Sequence, residues 1–263
     1  MRNASVRSRH VAITGASAGI GCALALAFAA PGVTLGLVAR NSERLEACAQ
    51  ACREKGARVL TASLDVRDAA ALGDWLNAFD TVHPIDLLIA NAGVASTLAH
   101  VDDWEGRERT ATIVDTNFYG ALNAALPVIE RMRVRRRGHI ALISSIAALR
   151  GMAISPAYCA SKAALKAWGD SVRPVLARDN IRVSVVLPGF VKTAMSDVFP
   201  GEKPFLWSAD KAARHIQTKL AIGRAEIAFP NVLAFGMRLL PLLPATLADA
   251  ILGRLSYLPR EER

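Results

Sequence analysis

Two residues in the middle of the sequence, Tyr158 and Lys162, have the types and the spacing needed for proton transfer. Residues four apart lie on one face of a helix, so a helix over 158–178 would place the ammonium beside the phenol. A nearby cation favours the phenolate and lowers the phenol pKa from its usual value of about 10. Tyr158 could then give a proton to a carbonyl oxygen during reduction, or remove one from an alcohol. Taken alone, a tyrosine on a helix is more often a packing residue.

A glycine-rich turn follows the first apolar run of the chain and leads directly into a helical pattern. It reads Thr14-Gly15-Ala16-Ser17-Ala18-Gly19-Ile20-Gly21. Glycines permit a tight turn and a close approach of the backbone to a pyrophosphate, and a helix N-terminus offers N–H donors with a partial positive charge. A Walker-type phosphate loop is excluded, because no Lys-Ser or Lys-Thr pair follows the last glycine.

Short apolar runs alternate with longer amphipathic stretches along the chain. The apolar runs predict β-strands over 10–14, 34–39, 58–64, 86–90, 139–144, 182–187 and 226–229. The amphipathic stretches predict helices over 20–30, 42–55, 68–79, 109–133, 158–178 and 209–222. This alternation predicts a single doubly wound α/β domain over 1–263, with about seven parallel strands and helices on both faces. In such sheets ligands bind beyond the carboxyl ends of the strands.

Further motifs fall in order at the ends of the predicted strands. They are Asn91-Ala92-Gly93, Asp115-Thr116-Asn117-Phe118-Tyr119-Gly120, Ser144-Ser145, Tyr158-Cys159-Ala160-Ser161-Lys162 and Pro188-Gly189-Phe190-Val191-Lys192-Thr193. Together with the glycine turn they resemble the classical branch of the short-chain dehydrogenase/reductase family, from about the first strand to the seventh. The resemblance implies a Rossmann-like fold and an NAD(P)(H)-dependent oxidoreductase that acts on carbonyl and secondary-alcohol substrates.

The resemblance also implies a role for each matching residue. Its catalytic positions are Asn117, Ser145, Tyr158 and Lys162. Ser145 would hold the substrate oxygen, Lys162 would also hold the nicotinamide ribose, and Asn117 would hold a water that relays protons. Ser144 is the nearest competitor of Ser145, but a one-residue offset turns it to the other face of the strand. The implied cofactor contacts are Gly15, Ser17, Gly19, Ile20, Gly21, Arg40, Asp65, Val66, Asn91, Ala92, Gly93, Tyr158, Lys162, Pro188, Gly189, Val191 and Thr193.

The choice of cofactor depends on the residues after the second strand. The chain has Ala39 where NAD-dependent relatives usually carry Asp, and Arg40 follows it. An arginine attracts the 2′-phosphate, whereas an acid repels it, so NADP(H) is favoured over NAD(H). Many NADP-preferring relatives also carry a base at the position of Ala18. An NAD-dependent alcohol dehydrogenase therefore stays open, as does an Arg40 that is only an exposed residue before a helix N-cap.

Two further segments follow the predicted cofactor-binding and catalytic core, which spans 9–193. The segment 194–210 contains two prolines, a glycine and three large aromatic residues, typical of a substrate loop with an apolar inner surface or of a packed surface element. The segment 231–257 is apolar but interrupted by prolines and charges, which predicts two short helices rather than a membrane span. These helices would pack on the core, form the interface of a homodimer or homotetramer, or lie on a membrane surface. If they line a cleft, the substrate is apolar or lipid-like.

Composition excludes several classes of protein. A chain that is 52% hydrophobic and 21% charged is not disordered. Cysteines occur only at Cys22, Cys48, Cys52 and Cys159, without a CxxC pair, so neither a disulfide framework nor a metal site is predicted. Cys48 and Cys52 would share a helix face as small buried side chains. The chain length leaves little room for the separate substrate domain of a nucleotide-sugar epimerase. A cofactor-sensing scaffold stays open as the non-enzyme alternative, although such a protein usually lacks the Tyr or the Lys.

The net charge of +9 raises the question of nucleic acid. The densest basic cluster precedes Gly138 and an apolar run, which indicates an exposed helix end entering a buried strand rather than a nucleic-acid patch. Its members are Arg131, Arg133, Arg135, Arg136 and Arg137. The uncharged stretch 11–39 is broken by glycines and is not a targeting segment. A cytoplasmic protein without a nucleic-acid partner is expected, with peripheral membrane contact through 231–257 as the alternative.

Overall fold

Seven parallel strands form one sheet at the centre of the structure, a computed structural model that describes residues 9–98, 102–199 and 202–254. The strand order is β3-β2-β1-β4-β5-β6-β7. The strands are β1 (His10–Thr14), β2 (Thr34–Ala39), β3 (Arg58–Ser63), β4 (Leu87–Ala90), β5 (Gly138–Ile143), β6 (Ile181–Pro188) and β7 (Glu226–Phe229). The seven predicted strands are confirmed, and β1 lies between β2 and β4, where the chain order reverses.

Helices cover both faces of the sheet, as predicted. They are α1 (Gly19–Phe28), α2 (Ser42–Glu54), α3 (Ala69–Val82), α4 (Arg107–Val114), α5 (Gly120–Val134), α6 (Pro156–Ala177), α7 (Ala194–Asp197), α8 (Ala209–Ala221), α9 (Asn231–Leu239) and α10 (Ala245–Arg254). Helices α1, α2 and α8 pack on one face, and α3, α5, α6, α9 and α10 pack on the other. Alternate residues of the strands fill these two cores, which is why the strands are apolar throughout.

The predicted helix over 109–133 is not continuous. Helix α4 ends at Val114, the backbone forms a π turn over Asp115–Tyr119, and α5 then begins at Gly120. A Cβ on Gly120 would lie 2.5 Å from Cγ2 of Val66, so this turn packs closely against the loop after β3. Such turns are frequent at functional sites. Side-chain periodicity did not reveal it, because one widened turn hardly changes the apolar pattern.

The basic cluster at the end of α5 is paired with carboxylates of the protein. Arg131 and Arg135 both contact Asp80, at 2.7 and 2.8 Å. The other three contact two further carboxylates: Arg133 and Arg136 pair with Asp179, and Arg137 pairs with Asp86. The interpretation as a helix end that leads into β5 is therefore confirmed.

The C-terminal segment forms two short helices, α9 and α10, joined by a 3₁₀ turn over Leu240–Leu242. Ala234, Met237, Ala248 and Leu252 pack into the same core as α5 and α6. The prediction of two helices is confirmed as far as 254, and 255–257 lie outside the described residues. Within the described ranges, none of the helices is both long enough and apolar enough to cross a bilayer.

Candidate active site

One cavity of about 840 Å³ lies at the carboxyl ends of the strands and spans the reversal point between β1 and β4. Open α/β sheets bind ligands at this point. Every residue that the sequence assigned to the cofactor or to catalysis lines this cavity, except Gly21 and Asn117. The fold therefore brings residues from six strand ends into one place.

The glycine turn is held against the loop after β4 by four hydrogen bonds. The hydroxyl oxygen of Thr14 accepts from the backbone N–H groups of Asn91 and Ala92, each at 3.1 Å. The Asn91 side chain donates to the carbonyls of Thr14 and Gly15, at 3.0 and 3.2 Å. Gly15 has a φ of +69°, and a Cβ there would lie 2.7 Å from Cα of Ala92. Only glycine fits this position.

The start of α1 fits a pyrophosphate. A Cβ on Gly21 would lie 2.2 Å from the Gly15 carbonyl oxygen, so the missing side chain lets the helix approach the turn. Among the described residues, no side chain caps α1, which begins at Gly19. The first N–H groups of a helix without such a cap are available to an anion. The turn, the helix start and the cavity beside them thus suit the dinucleotide implied by the sequence.

Tyr158 and Ser145 form the polar centre of the cavity. Both are only 8% exposed. Burial raises the pKa of Tyr158 to about 12, although a hydrogen bond with Ser145 partly offsets this. The Ser145 hydroxyl also accepts from the backbone N–H of Ala147 at 3.1 Å, which fixes its position at the end of β5. The sequence predicted a lowered phenol pKa, and the structure has the opposite direction because burial disfavours the phenolate.

Lys162 lies one turn along α6 from Tyr158 and is 3% exposed. Its ammonium donates to the carbonyl oxygen of Ile143 at 3.0 Å and lies 5.8 Å from the centroid of the Tyr158 ring. Burial lowers the pKa of Lys162 to about 8. Ser144, the competitor of Ser145, donates to the backbone carbonyl of Lys162 at 2.7 Å. Both serines line the cavity, but the Ser144 hydroxyl is used in this backbone contact, whereas Ser145 is the serine that hydrogen-bonds with Tyr158.

Asn117 is fully buried in the π turn, behind the cavity wall. Its amide donates to the Val94 carbonyl at 2.9 Å and to the Ser161 hydroxyl at 3.0 Å, and its oxygen accepts from the Val94 N–H at 2.8 Å. Both amide hydrogens are therefore used within the protein. Asn117 joins the loop after β4 to α6, and its predicted part in a proton relay stays a prediction.

Two arginines, Arg40 and Arg44, line the cavity, and only Arg40 was predicted from the sequence. Arg40 lies 3.7 Å from Asp65, whereas Arg67 contacts the same carboxylate at 2.7 Å. The hydrogen bond from Arg67 holds the pKa of Asp65 below its usual value. Arg44, in the first turn of α2, also lines the cavity. The position of Arg44, four residues after Arg40 and at the predicted start of a helix, is the sequence signal that could have identified it.

Glu105 is a second residue that the sequence analysis missed. It is 6% exposed, and its carboxylate accepts from the Ala157 N–H at 2.6 Å and from the Ser96 hydroxyl. The Ser155 hydroxyl donates to the Ser96 carbonyl at 2.6 Å. A carboxylate at a helix N-terminus is favourable, so Glu105 caps α6 from a distant segment and fixes the helix that carries Tyr158. No local sequence signal identifies a cap that comes from about fifty residues earlier in the chain.

The substrate loop has two kinds of aromatic residue. Phe199 packs edge-on against Tyr158, with ring centroids 5.7 Å apart, and Phe205 lines the cavity although it is 56% exposed. Trp207 instead stacks on Phe229 at 4.8 Å and pairs with Val191 by a β-bridge. One part of the loop therefore covers the site, and the other part anchors it to the sheet. Pro200 and Gly201 lie outside the described residues.

The sequence matches a known protein family. The model of the short chain dehydrogenases matches residues 9–203. The chain belongs to the short-chain dehydrogenase family. It is therefore an enzyme, an oxidoreductase that acts on carbonyl and CH–OH groups with NAD(P).

Curated relatives within this family cover most of the chain. An uncharacterized oxidoreductase of Myxococcus xanthus is 36% identical over 254 residues, which span 96% of this chain and 99% of that protein. A 3-dehydrosphinganine reductase of Arabidopsis thaliana is 35% identical over 187 residues, which span 70% of this chain and 56% of that protein.

Solved structures share the Rossmann-like fold. A short chain dehydrogenase of Mycobacterium paratuberculosis bound to NAD has a TM-score of 0.76 at 23% identity and covers 86% of this chain and 98% of its own. The L-sorbose reductase of Gluconobacter frateurii, complexed with NADPH and L-sorbose, has a TM-score of 0.73 at 24% identity and covers 84% of this chain and 94% of its own. At this identity the likeness shows the fold, which confirms the predicted architecture.

Replacing Ser145 tests the hydrogen bond at the centre of the cavity. We expect Ser145→Ala to lower turnover by roughly 10²-fold, the usual effect of losing one positioned donor. The hydrogen bond lowers the pKa of Tyr158, so its loss must raise that pKa further. In the oxidation direction, which needs the phenolate, the rise of rate with pH should therefore move to higher pH. A pH–rate profile measures this, with Ser144→Ala as the control for a general loss of packing. An unshifted profile in Ser145→Ala would contradict the proposed contact.

Proposed function

We propose that the enzyme is an NADPH-dependent carbonyl reductase of neutral, apolar or lipid-like substrates. The observation that carries this proposal is a single cavity with two unlike ends. Tyr158 and Ser145 lie between a basic end at Arg40 and Arg44 and an apolar end formed by the substrate loop and the C-terminal helices.

Tyr158 is the proton donor in this proposal. A phenol with a pKa of about 12 is protonated at neutral pH, so it is ready to protonate a developing alkoxide. Ser145 would hold the substrate oxygen beside that phenol, and Lys162, with a pKa of about 8, stays largely cationic and supports negative charge there. The bound dinucleotide supplies the hydride. These protonation states favour reduction at neutral pH, whereas oxidation first requires loss of the phenol proton.

Charge at the end of β2 supports NADP(H) over NAD(H). Asp65 is the acid at this end, and it is already paired at short distance with Arg67. The Arg40 side chain is 60% exposed and only loosely paired, at 3.7 Å. Arg44 lines the same cavity, so the basic end can bind a 2′-phosphate through charge-assisted hydrogen bonds. The alternative, in which Arg40 is only an exposed residue before a helix N-cap, agrees with the exposure of its side chain. It gives no role to Arg44, which lines the cavity.

The far end of the cavity supports an uncharged, apolar substrate. Its wall contains Phe190, Met195, Phe199, Val232, Leu233, Met237, Leu240, Ile251 and Leu252. Among the described lining residues, the only cations are Arg40, Arg44 and Lys162, and none belongs to this wall. A carboxylate or phosphate on the substrate would be desolvated there without a partner, which costs several kcal/mol (roughly 2–5). The relative named for reducing 3-dehydrosphinganine supports the same class of substrate.

Oxidation of NADPH by neutral ketones of increasing chain length tests the function. We expect kcat/KM to rise with chain length, because each buried methylene contributes about 0.8 kcal/mol, and to fall when the chain ends in a carboxylate. Tyr158→Phe should lose nearly all turnover while it still binds NADPH, measured by fluorescence. Equal rates for short and long ketones would contradict the apolar wall. Binding of NADPH without turnover across the series would favour the cofactor-sensing alternative.

Replacing Arg40 tests the cofactor preference. We expect Arg40→Ala to raise the KM for NADPH by roughly 10- to 100-fold, as for the loss of a charge-assisted hydrogen bond, and to leave the KM for NADH almost unchanged. Arg53→Ala is the matched control, because Arg53 lies near the far end of α2, pairs with Glu46 and does not line the cavity. A wild-type preference for NADH would establish the NAD-dependent alternative instead.

We propose that the outer face of α9 and α10 is a subunit interface of a homodimer or homotetramer. The inner face packs on the core, but apolar side chains of α9, α10 and the turn between them remain exposed, among them Phe235, Leu242 and Leu247, at 63, 77 and 50%. Several exposed apolar side chains on one segment are typical of an interaction surface.

Light scattering of variants tests this interface. We expect Phe235→Glu with Leu242→Glu to convert the oligomer into monomers, whereas Val134→Glu, at an exposed site on α5, should leave the mass unchanged. A wild-type monomer that sediments with anionic phosphatidylserine vesicles would replace this proposal with the membrane-surface alternative.

A further inference from the structure

Three cysteines that the catalytic site does not use lie together between α1 and α2. Cys22 is on α1, and Cys48 and Cys52 lie one turn apart on α2. The sulfur atoms of Cys22 and Cys48 are hydrogen-bonded at 2.6 Å. A disulfide bond is about 2.05 Å long. The sulfur atoms of Cys22 and Cys48 therefore lie only about 0.6 Å beyond bonding distance.

The three thiols differ in accessibility and acidity. Cys22 is partly exposed, whereas Cys48 and Cys52 are buried at 4 and 0% exposure. The hydrogen bond with Cys48 holds the pKa of Cys22 below its usual value. Hydrogen bonds with both neighbours, together with burial, raise the pKa of Cys48. Thiolate character and access determine which cysteine reacts with an oxidant, so Cys22 reacts first.

We propose that Cys22 and Cys48 are a reversible oxidation site, at which hydrogen peroxide converts the two thiols into a disulfide that joins α1 to α2. In the described ranges, no set of three or more His, Cys, Asp or Glu side chains could hold a metal ion. The proposal is independent of the oxidoreductase reaction, because none of the three cysteines lines the cavity.

The reaction proceeds in two balanced steps. The Cys22 thiolate attacks one peroxide oxygen, the O–O bond breaks, and the products are a sulfenic acid on Cys22 and, after protonation, water. The Cys48 sulfur then attacks the sulfur of that sulfenic acid. The S–S bond forms, the S–O bond breaks, and the hydroxyl group leaves as a second water with the proton of Cys48. Two thiols are thereby oxidised and one peroxide is reduced. A dithiol such as dithiothreitol reverses the change by exchange.

The bond would join two helices that border the cofactor end of the cavity. Helix α1 follows the glycine turn, and α2 follows Arg40. The two cysteines are 26 residues apart, so the disulfide closes a loop that includes all of β2 and restricts the unfolded chain. We therefore expect the oxidised enzyme to melt roughly 5–10 °C above the reduced enzyme.

Peptide mapping of the full-length enzyme tests this site. After treatment with hydrogen peroxide and alkylation without a reductant, trypsin should yield peptide 10–40 covalently joined to peptide 45–53, because these carry Cys22 and the α2 cysteines. Titratable thiols of the unfolded protein should fall from four to two per chain. The joined peptide and the higher melting temperature should both disappear after dithiothreitol.

Single replacements identify the bonded pair. Cys48→Ser should abolish the joined peptide, whereas Cys52→Ser, a matched change one turn away on the same helix, should retain it. Cys159→Ser is the control for loss of a cysteine outside this cluster, and it should retain the joined peptide. The proposal is overturned if peroxide gives no joined peptide in the wild type, or if the joined peptide persists in Cys48→Ser. Circular dichroism of each reduced variant shows whether the variant is folded. If Cys48→Ser does not fold, Cys52→Ser still decides: a retained joined peptide supports the Cys22–Cys48 pair, and a lost joined peptide opposes it.

Discussion

The close contact between the ends of β1 and β4 is the constraint on which the rest of the site depends. Thr14 and Asn91 exchange hydrogen bonds across it, and Gly15 leaves no room for a side chain there. Because the strand order reverses at this point, the two following loops diverge and leave a crevice between them. A bulkier turn would separate the strand ends and move the start of α1 away from the cavity.

Burial acts in opposite directions on the two ionisable groups at the centre of the cavity. It raises the pKa of Tyr158 and lowers that of Lys162, because the charged form of each is poorly solvated. At neutral pH the phenol therefore keeps its proton and the ammonium remains largely charged. This is a suitable state for protonating a carbonyl oxygen. The same burial makes the remote cap from Glu105 important, since a displaced α6 would bring water to both groups.

The two ends of the cavity have different structural origins. The basic end is formed by Arg40 after β2 and by Arg44 in the first turn of α2. In the loop after β3, Arg67 pairs with Asp65. The apolar end is built by the substrate loop and by α9 and α10, which are added after β7. In the proposed function, the strand ends and α6 carry the chemistry, and the peripheral segments shape the substrate end. The exposed outer face of those same helices connects substrate binding with assembly in the proposed oligomer.

Local patterns in the sequence determined the strands, the glycine turn and the Tyr158–Lys162 pair, because strand periodicity, turn chemistry and helical spacing act over a few residues. Only the tertiary structure decided what depends on distant contacts. It determined the direction of the Tyr158 pKa, the cap from Glu105, the π turn that buries Asn117 and the approach of Cys22 to Cys48. Each of these four features follows from burial or from contacts between segments far apart in the chain. The spacing of neighbouring residues encodes neither burial nor such contacts.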